Sequence, residues 1–253
     1  TNKKLLIIGD SLINAGVIGQ TLLDIAATDV MGITLLGTRY TNNASNRHEG
    51  RGGWTIYTYA TDYTAAPYGA NPFWIGGAVN FPQYLTNNAI DKPDWVPIHL
   101  GINDAFNYTS DAAVVAGAAA AFGYLDTLIA SIKSAGAGVK VALMIPPPPS
   151  FDQDAFGASY GTGQTRWRHK RNILIWAREL IAKYAGQEAN RVYLVPTNTA
   201  LDTRNNMQRD AATPVNSRNA AVTVQRQSDG VHPADSGYKQ IADALWAFLK
   251  FYA

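Results

Sequence analysis

The stretch Leu5-Leu6-Ile7-Ile8-Gly9-Asp10-Ser11-Leu12 decides the fold of this chain. Its first half is a short apolar run typical of a buried strand. Open α/β sheets carry their chemistry at the carboxyl ends of their strands, and Ser11 falls at such an end. A serine between a strand and a helix is equally suited to cap that helix. The stretch alone therefore leaves two roles open for Ser11, a nucleophile and a helix N-cap.

Short apolar runs alternate with longer helical patterns along the rest of the chain, as in a parallel sheet covered on both faces. We expect strands at residues 4–8, 32–36, 95–100, 139–145 and 192–195. We expect helices at residues 17–27, 81–89, 111–134, 165–185 and 235–251. Right-handed crossovers between these strands predict a three-layer α/β/α sandwich with a five-stranded parallel sheet, in one domain over residues 1–253.

Composition excludes several classes of protein. Of the 253 residues 47% are hydrophobic and 16% charged, which predicts a packed core rather than disorder. The net charge of +2 gives no reason to expect nucleic acid as a partner. The chain has no cysteine, so disulfides, thiolate catalysis and cysteine-ligated zinc are excluded. The basic stretch 166–171 is expected to be the solvated start of an amphipathic helix.

We expect no insertion into a membrane, because no apolar run approaches the roughly 20 residues that span a bilayer. The Ala-rich stretch 112–121 is interrupted by Gly117 and is expected to belong to a soluble helix. No signal peptide is recognisable. Because the chain begins at Thr1 without methionine, we interpret it as a processed or excised fragment. Separately, we expect a secreted or extracellular protein, with which a piece of a larger bacterial or phage protein is compatible.

Three long polar segments, residues 38–71, 146–165 and 198–229, lie outside the expected core. Each follows an expected strand, so each is placed at the same edge of the sheet as Ser11. Long loops in compact domains are usually functional or disordered. We therefore expect these three segments to form the wall of a site.

A candidate general base lies near the end of the chain, in Asp229-Gly230-Val231-His232-Pro233. His232 has a carboxylate three residues earlier, with a glycine between them that allows a tight turn. Asp229 can accept from one imidazole nitrogen while the other faces Ser11, as a nucleophilic triad requires. A plain surface turn before a helix is the alternative. The other histidines are assigned to a site wall (His48), a core strand (His99) and the basic helix start (His169).

Two further motifs offer hydrogen-bond donors at the same edge. Asn103, in Gly101-Ile102-Asn103-Asp104, directly follows an expected strand, and its amide is a neutral donor for the anionic oxygen of a tetrahedral intermediate. Gly53 can offer a backbone N–H where a side chain would block a substrate, and the N–H of Ser11 would be the third donor. Four motifs in this order, each after a strand, favour catalysis over a structural role.

With these motifs the chain resembles the SGNH, or GDSL, hydrolases over essentially its whole length. The resemblance implies that Ser11 is the nucleophile, with Asp229 and His232 completing the triad. It maps the oxyanion hole to Ser11, Gly53 in Gly52-Gly53-Trp54-Thr55, and Asn103. The family fold is a flavodoxin-like five-stranded sheet. The family uses no organic cofactor and no metal.

A narrower resemblance concerns microbial carbohydrate esterases of this superfamily, which remove acetyl groups from polysaccharides. It is carried by residues 48–55, 71–74 and 81–85. It implies an acylated carbohydrate as substrate, with flat aromatic side chains as sugar contacts. The candidate contacts are Trp54, Phe73, Trp74, Tyr160 and Trp167, each of which can instead be a loop-anchoring hydrophobe. A lipase, thioesterase or arylesterase, and a carbohydrate-binding module without catalysis, stay open as alternatives.

Overall fold

The computed structural model describes residues 2–161 and 163–252. The strands are β1 (Lys3–Leu6), β2 (Ile8–Gly9), β3 (Ile33–Leu36), β4 (Arg39–Tyr40), β5 (Arg47–Gly50), β6 (Thr64–Ala65), β7 (Gly69–Ala70), β8 (Trp74–Ile75), β9 (Ala78–Val79), β10 (Trp95–His99), β11 (Lys140–Met144), β12 (Val192–Val195), β13 (Thr213–Pro214) and β14 (Thr223–Val224). The helices are α1 (Ser11–Asn14), α2 (Val17–Ala26), α3 (Ile56–Tyr59), α4 (Phe81–Asn87), α5 (Ile102–Ala105), α6 (Asp111–Ser134), α7 (Gln153–Tyr160), α8 (Arg166–Tyr184) and α9 (Asp235–Phe251).

The main sheet is centred on β1 and β2, which are two halves of one strand interrupted at Ile7. On one side β1 pairs with β3 and β2 pairs with β5; on the other side β10, β11 and β12 follow in turn, all in parallel. Among the described strands of this sheet only β4 is antiparallel, to β5. The order 2-1-3-4-5 is that of flavodoxin-like folds. The expected three-layer sandwich is confirmed.

Helices cover the sheet because each has one apolar face. In α9 the buried side chains Tyr238, Ile241, Leu245 and Leu249 recur every three or four residues, and α9 packs beside α2. On the other face α6 packs against α8. The five helices and five strands expected from periodicity are confirmed to within two residues at each end.

One part of the expected site wall is wrong. Within residues 38–71 the structure places β5, which pairs with β2 inside the main sheet. The strand escapes the apolar pattern because its buried positions include His48 and Glu49, at 2% and 0% exposure. These polar side chains are satisfied by hydrogen bonds to Thr41, Thr38 and other groups of the protein.

The basic start of α8 is solvated only in part. The ammonium and guanidinium groups of Lys170 and Arg171 are exposed, but His169 and Asn172 are buried. Asn172 Nδ2 donates to the carbonyls of Ala105 and Tyr108 at 2.9 and 2.8 Å, which joins α8 to the segment after α5. Burial lowers the pKa of His169 to about 4, so this imidazole is neutral. The prediction of a solvated stretch over residues 166–171 is therefore wrong for His169.

By length and composition α6 is apolar enough to cross a membrane. It is the one helix in the described part of the chain that meets this criterion. Its side chains at Val114, Ala118, Phe122, Leu125 and Ile129 belong to the hydrophobic core. The apolar character of α6 is thus used in packing against the sheet and α8.

Candidate active site

Ser11 stands at the first position of α1, directly after the central strand. The turn between them is tight: a Cβ on Gly9 would lie 2.3 Å from Cγ1 of Ile13 and 2.9 Å from the carbonyl oxygen of His99. Asp10, which is fully buried, caps α1 because its Oδ1 accepts from the N–H of Leu12 at 3.0 Å. The cap is therefore Asp10 rather than Ser11, and the serine hydroxyl is left free for another partner.

That partner is His232. Its Nε2 lies 2.8 Å from Oγ of Ser11, and its Nδ1 lies 3.0 Å from Oδ2 of Asp229. The other carboxylate oxygen, Oδ1, accepts from the backbone N–H groups of Val231 and His232, each at 2.7 Å. These two bonds fix the turn that the Asp-Gly-Val-His spacing predicts. The structure thus brings together residues that are 221 positions apart in the sequence.

Each member of the His232–Asp229 pair changes the pKa of the other. The hydrogen bond and the charge of Asp229 raise the pKa of His232 above its ordinary 6.5, against the opposing effect of burial. Burial alone would raise the pKa of Asp229, but the hydrogen bonds from His232 and the two backbone N–H groups hold it below its ordinary value. The pair therefore stabilises an imidazolium next to a carboxylate, which is the charge state that follows proton transfer from a serine.

Three donors face the same pocket. The backbone N–H groups of Ser11 and Gly53 have no acceptor among the described residues. The Nδ2 of Asn103 donates to the carbonyl of Trp54 at 2.9 Å, and a carboxamide carries a second hydrogen that is left for a ligand. Gly53 has a φ of +78°, a conformation that glycine adopts without strain. The arrangement can hold an anionic oxygen beside the hydroxyl of Ser11.

The pocket around Ser11 has a volume of about 450 Å³. The donors and the imidazole of His232 form its polar part. Its apolar part is formed by Ile102, Phe106, Tyr160 and Val231. Of the five aromatic residues expected to contact a sugar, Tyr160 is the one that lines this pocket.

The other four expected aromatic contacts lie elsewhere. Trp54 and Phe73 are core residues with 2% and 0% exposure, and Trp54 packs on Tyr59 with ring centroids 4.8 Å apart. Trp74 is half-buried in the hairpin of β8 and β9. Trp167 is 68% exposed on α8, with the guanidinium of Arg166 over its ring at 4.1 Å. The side chains of Trp54 and Phe73 therefore do not border the site.

His48 is also a structural residue and not part of a site wall. Its Nδ1 accepts from the N–H of Gly50 at 2.9 Å, and its Nε2 lies 3.0 Å from Oγ1 of Thr41. Burial lowers the pKa of His48 to about 4, so its imidazole is neutral. His99 is fully buried in β10, as expected.

Sequence reasoning missed the short helix α5. This turn follows β10 and brings Ile102, Phe106 and Asn107 to the pocket. It also directs the carboxylate of Asp104 towards the start of α3. The signal was present, because an apolar residue at Ile102 and another at Phe106 are four apart, the spacing of one helical face. In the described residues no cluster of three or more His, Asp or Glu side chains is placed to hold a metal ion.

A flavodoxin-like sheet with a Ser–His–Asp chain at its carboxyl edge is the arrangement of a serine hydrolase. The family model described as GDSL-like Lipase/Acylhydrolase matches residues 5–245. The chain belongs to this family and is an ester hydrolase of the SGNH type. No sequence among curated proteins matches it significantly.

Solved structures share the fold at low sequence identity. A family 3 carbohydrate esterase from Clostridium thermocellum aligns with a TM-score of 0.60 and 19% identity, over 98% of this chain and 94% of that one. A carbohydrate esterase of family 3 from Talaromyces cellulolyticus gives 0.52 and 18%, over 99% and 97%. The lipase Lip_vut3 from a goat rumen metagenome gives 0.59 and 12%, over 97% and 96%. At identities this low, the structural likeness shows a common fold.

Proposed function

We propose that this protein is a serine esterase that removes short acyl groups, acetyl above all, from hydroxyl groups of a polysaccharide or oligosaccharide. The observation that carries the proposal is the hydrogen-bonded chain from Ser11 through His232 to Asp229, with unpaired donors facing the same pocket. Family membership supports ester hydrolysis, and the carbohydrate substrate is the finer part of the proposal.

The mechanism follows from the geometry. His232 Nε2 takes the proton of Ser11 as Oγ attacks the acetyl carbonyl carbon, and Asp229 stabilises the resulting imidazolium. The carbonyl oxygen becomes an oxyanion held by the N–H of Ser11, the N–H of Gly53 and the amide of Asn103. When the intermediate collapses, the sugar oxygen leaves with the proton from Nε2. Water then attacks the acyl-enzyme and gives a proton to His232. The bond between Oγ and the acyl carbon breaks, Oγ takes the proton back from Nε2, and acetate is released.

Two observations support a short acyl group on a carbohydrate. The pocket of about 450 Å³ places polar groups of Ser11, Asn103 and His232 beside its apolar part, which suits a short acyl group on a hydroxylated substrate. The segments that follow the strands at this edge are rich in Asn, Thr, Gly and Tyr. Likeness of fold to family 3 carbohydrate esterases from two organisms agrees with this substrate class. We further propose that the enzyme acts outside the cell, without nucleic acid partners and without inserting into a membrane.

A second candidate is a lipase, thioesterase or arylesterase. The apolar lining at Ile102, Phe106 and Val231 favours it, because these side chains can also receive a longer acyl chain. Rates measured with nitrophenyl esters of increasing chain length separate the two candidates. A maximum at two carbons supports the acetylesterase, and a maximum at eight carbons or more supports the lipase.

The central test is Ser11→Ala. We expect it to lower kcat on nitrophenyl acetate by about 10⁴- to 10⁶-fold, because the nucleophile and the base act as a unit. A fluorophosphonate reagent is expected to label the wild type and not the variant. Full turnover by the variant would overturn the mechanism, and an unlabelled, inactive wild type would favour a carbohydrate-binding module. Acetate release across a panel of acetylated polysaccharides then identifies the sugar.

A further inference from the structure

Asp104 is a titratable residue next to the pocket-lining Asn103, and the proposed mechanism does not use it. It follows Asn103 in the short helix α5, and its carboxylate is turned towards the start of α3. Its Oδ1 and Oδ2 lie 3.0 and 3.3 Å from the backbone nitrogen of Ile56. Ile56 is the first residue of α3, where a backbone N–H has no acceptor within the helix. The carboxylate supplies that acceptor from a segment 48 residues away.

The neighbouring residue makes a second bond to the same loop. Nδ2 of Asn103 donates to the carbonyl of Trp54, so two consecutive residues of α5 bind backbone groups of the segment that follows Gly53. On the other side of Gly53 the chain is fixed by the N–H of Arg51, which donates to the carbonyl of Gly9 at 2.9 Å. The segment around Gly53 is thus hydrogen-bonded to the central strand on one side and to α5 on the other.

Gly53 contributes little to its own position and lies in a turn that the N–H of Trp54 closes by donating to the carbonyl of Arg51 at 3.2 Å. It has no side chain, and a Cβ built on it would meet no atom within 4 Å. Its φ of +78° is one that a free glycine exchanges readily with negative values. The direction of its N–H therefore depends on the anchors at each end of the loop.

We propose that Asp104 is a positioning residue of the oxyanion hole, which holds the N–H of Gly53 towards Ser11 by binding the N–H of Ile56. This inference rests on the proposed esterase function and goes beyond it, because it adds a residue outside the triad and the three donors. Acylation and deacylation both pass through an oxyanion, so a displaced Gly53 N–H slows whichever step limits turnover. Ground-state binding of the ester depends less on this donor.

Burial raises the pKa of Asp104 to about 7, with a smaller contribution from the charge of Asp10, while the hydrogen bond from Ile56 acts in the opposite direction. A carboxyl group keeps an oxygen acceptor for the N–H of Ile56 in either protonation state. Asparagine has the same shape and the same acceptor. The proposed role therefore depends on where the acceptor oxygen lies rather than on its charge.

The test measures kcat and KM separately on nitrophenyl acetate for Asp104→Ala, Asp104→Asn and Asp104→Glu. For Asp104→Ala we expect kcat to fall about 10- to 100-fold with KM within about twofold of wild type, the loss that follows from a small misplacement in the site. Asp104→Asn is expected to recover most of this loss. Asp104→Glu keeps the charge but moves the carboxylate by one methylene, and it is expected to lower kcat as well.

Thr58→Ala is the matched control. Thr58 accepts from the N–H of Thr55 at 2.9 Å and completes the capping of α3 without touching Asp104. We expect it to lower the thermal midpoint while kcat stays within about twofold of wild type. A normal kcat in Asp104→Ala, equal losses in the Asn and Ala variants, or an equal loss in Thr58→Ala would each overturn the positioning role. Failure of the esterase proposal itself is distinguishable, because the wild type would then be inactive.

Discussion

At the scale of single residues, the ionisation of His232 decides how activity depends on pH. The imidazole must be neutral to accept the proton of Ser11, and its pKa is raised by the hydrogen bond and the charge of Asp229. Activity therefore increases as the pH rises through a pKa above 6.5. An isolated histidine would reach its active form at a lower pH.

The first prediction concerns Asp229→Asn. Without the carboxylate the pKa of His232 falls, so the acid limb of the profile of kcat/KM against pH is expected to move to lower pH. The plateau is expected to fall by roughly 10³- to 10⁴-fold, because the imidazolium loses its partner and the tautomer is no longer fixed. Rates measured from acidic to alkaline pH check both effects. Asp235→Asn is the control, since this exposed carboxylate is not among the groups that change the pKa of His232.

An acid limb that stays in place in Asp229→Asn would contradict the assignment. It would mean that the titrating group is not the imidazole bound to Asp229. The amplitude is a separate matter, because the height of the plateau reports the orientation and stabilisation of the imidazolium and not its pKa.

At the scale of elements, β5 is the strand held by polar contacts. Glu49 is fully buried and accepts from the N–H of Thr38, from its hydroxyl at 2.7 Å, and from the hydroxyl of Tyr84 at 2.6 Å. Arg51, at 4% exposure, donates to the same carboxylate at 2.7 Å. The pair connects the edge of the sheet to α4 across the core.

The second prediction is that Arg51→Met lowers the free energy of unfolding by about 3–5 kcal/mol, because it leaves the charge of Glu49 buried without a cation. The double variant Glu49→Gln with Arg51→Met removes both charges and is expected to recover part of this loss. Arg47→Met, at the exposed start of β5, is the control and should cost less than about 1 kcal/mol. Urea unfolding of the four proteins measures the differences. A loss below 1 kcal/mol in Arg51→Met would show that water reaches the pair.

Periodicity predicts most elements of this fold and misses β5 for one physical reason. Apolar spacing records which positions face the core, and it works for α6, α9 and the parallel strands because their buried side chains are apolar. In β5 the buried side chains are polar and are satisfied by partners up to 35 residues away. Nothing local in the sequence shows that such partners exist.

In the candidate site, too, some residues could be placed from the sequence and others could not. Ser11, Asn103 and the Asp229–His232 turn could be placed because each lies at the end of a strand or a turn whose position the chain order determines. The direction of an aromatic ring is different, because it depends on which neighbours pack against it. Trp54 is next to Gly53 in sequence, yet its indole lies among tyrosine rings inside the core.

At the scale of the whole molecule, the chain closes on itself through contacts between its ends. Ser11 meets His232, and Asp29 meets Lys250 at 2.8 Å, each pair 221 residues apart. The site therefore forms only when the sheet is complete. Contacts of such long range make folding slow and the site dependent on the whole core.

The segment before the triad turn is separate from this core. The side chains of residues 211–225 are exposed, and β13 and β14 form a hairpin that pairs only with itself in the described part of the chain. At its base Arg209 pairs with Gln227, and the N–H of Asp210 donates to the carbonyl of Arg226 at 3.0 Å. The turn that carries Asp229 is held by bonds that lie outside residues 211–225: its own bonds to Val231 and His232, and the bond from the N–H of Ser228 to the carbonyl of Gln208 at 2.9 Å.

The third prediction is that Asn-Gly in place of residues 211–225 leaves the core and the chemistry intact. Asp210 and Arg226 already face each other as an antiparallel pair, and a two-residue Asn-Gly turn closes such a pair. We expect the free energy of unfolding to change by less than about 1 kcal/mol, since the deleted side chains bury little surface and the loop is shorter. Turnover of nitrophenyl acetate is expected to stay within about twofold of wild type. A Gly/Ser segment of the original length is the control, and loss of turnover in both variants would show that the hairpin holds Asp229 against His232.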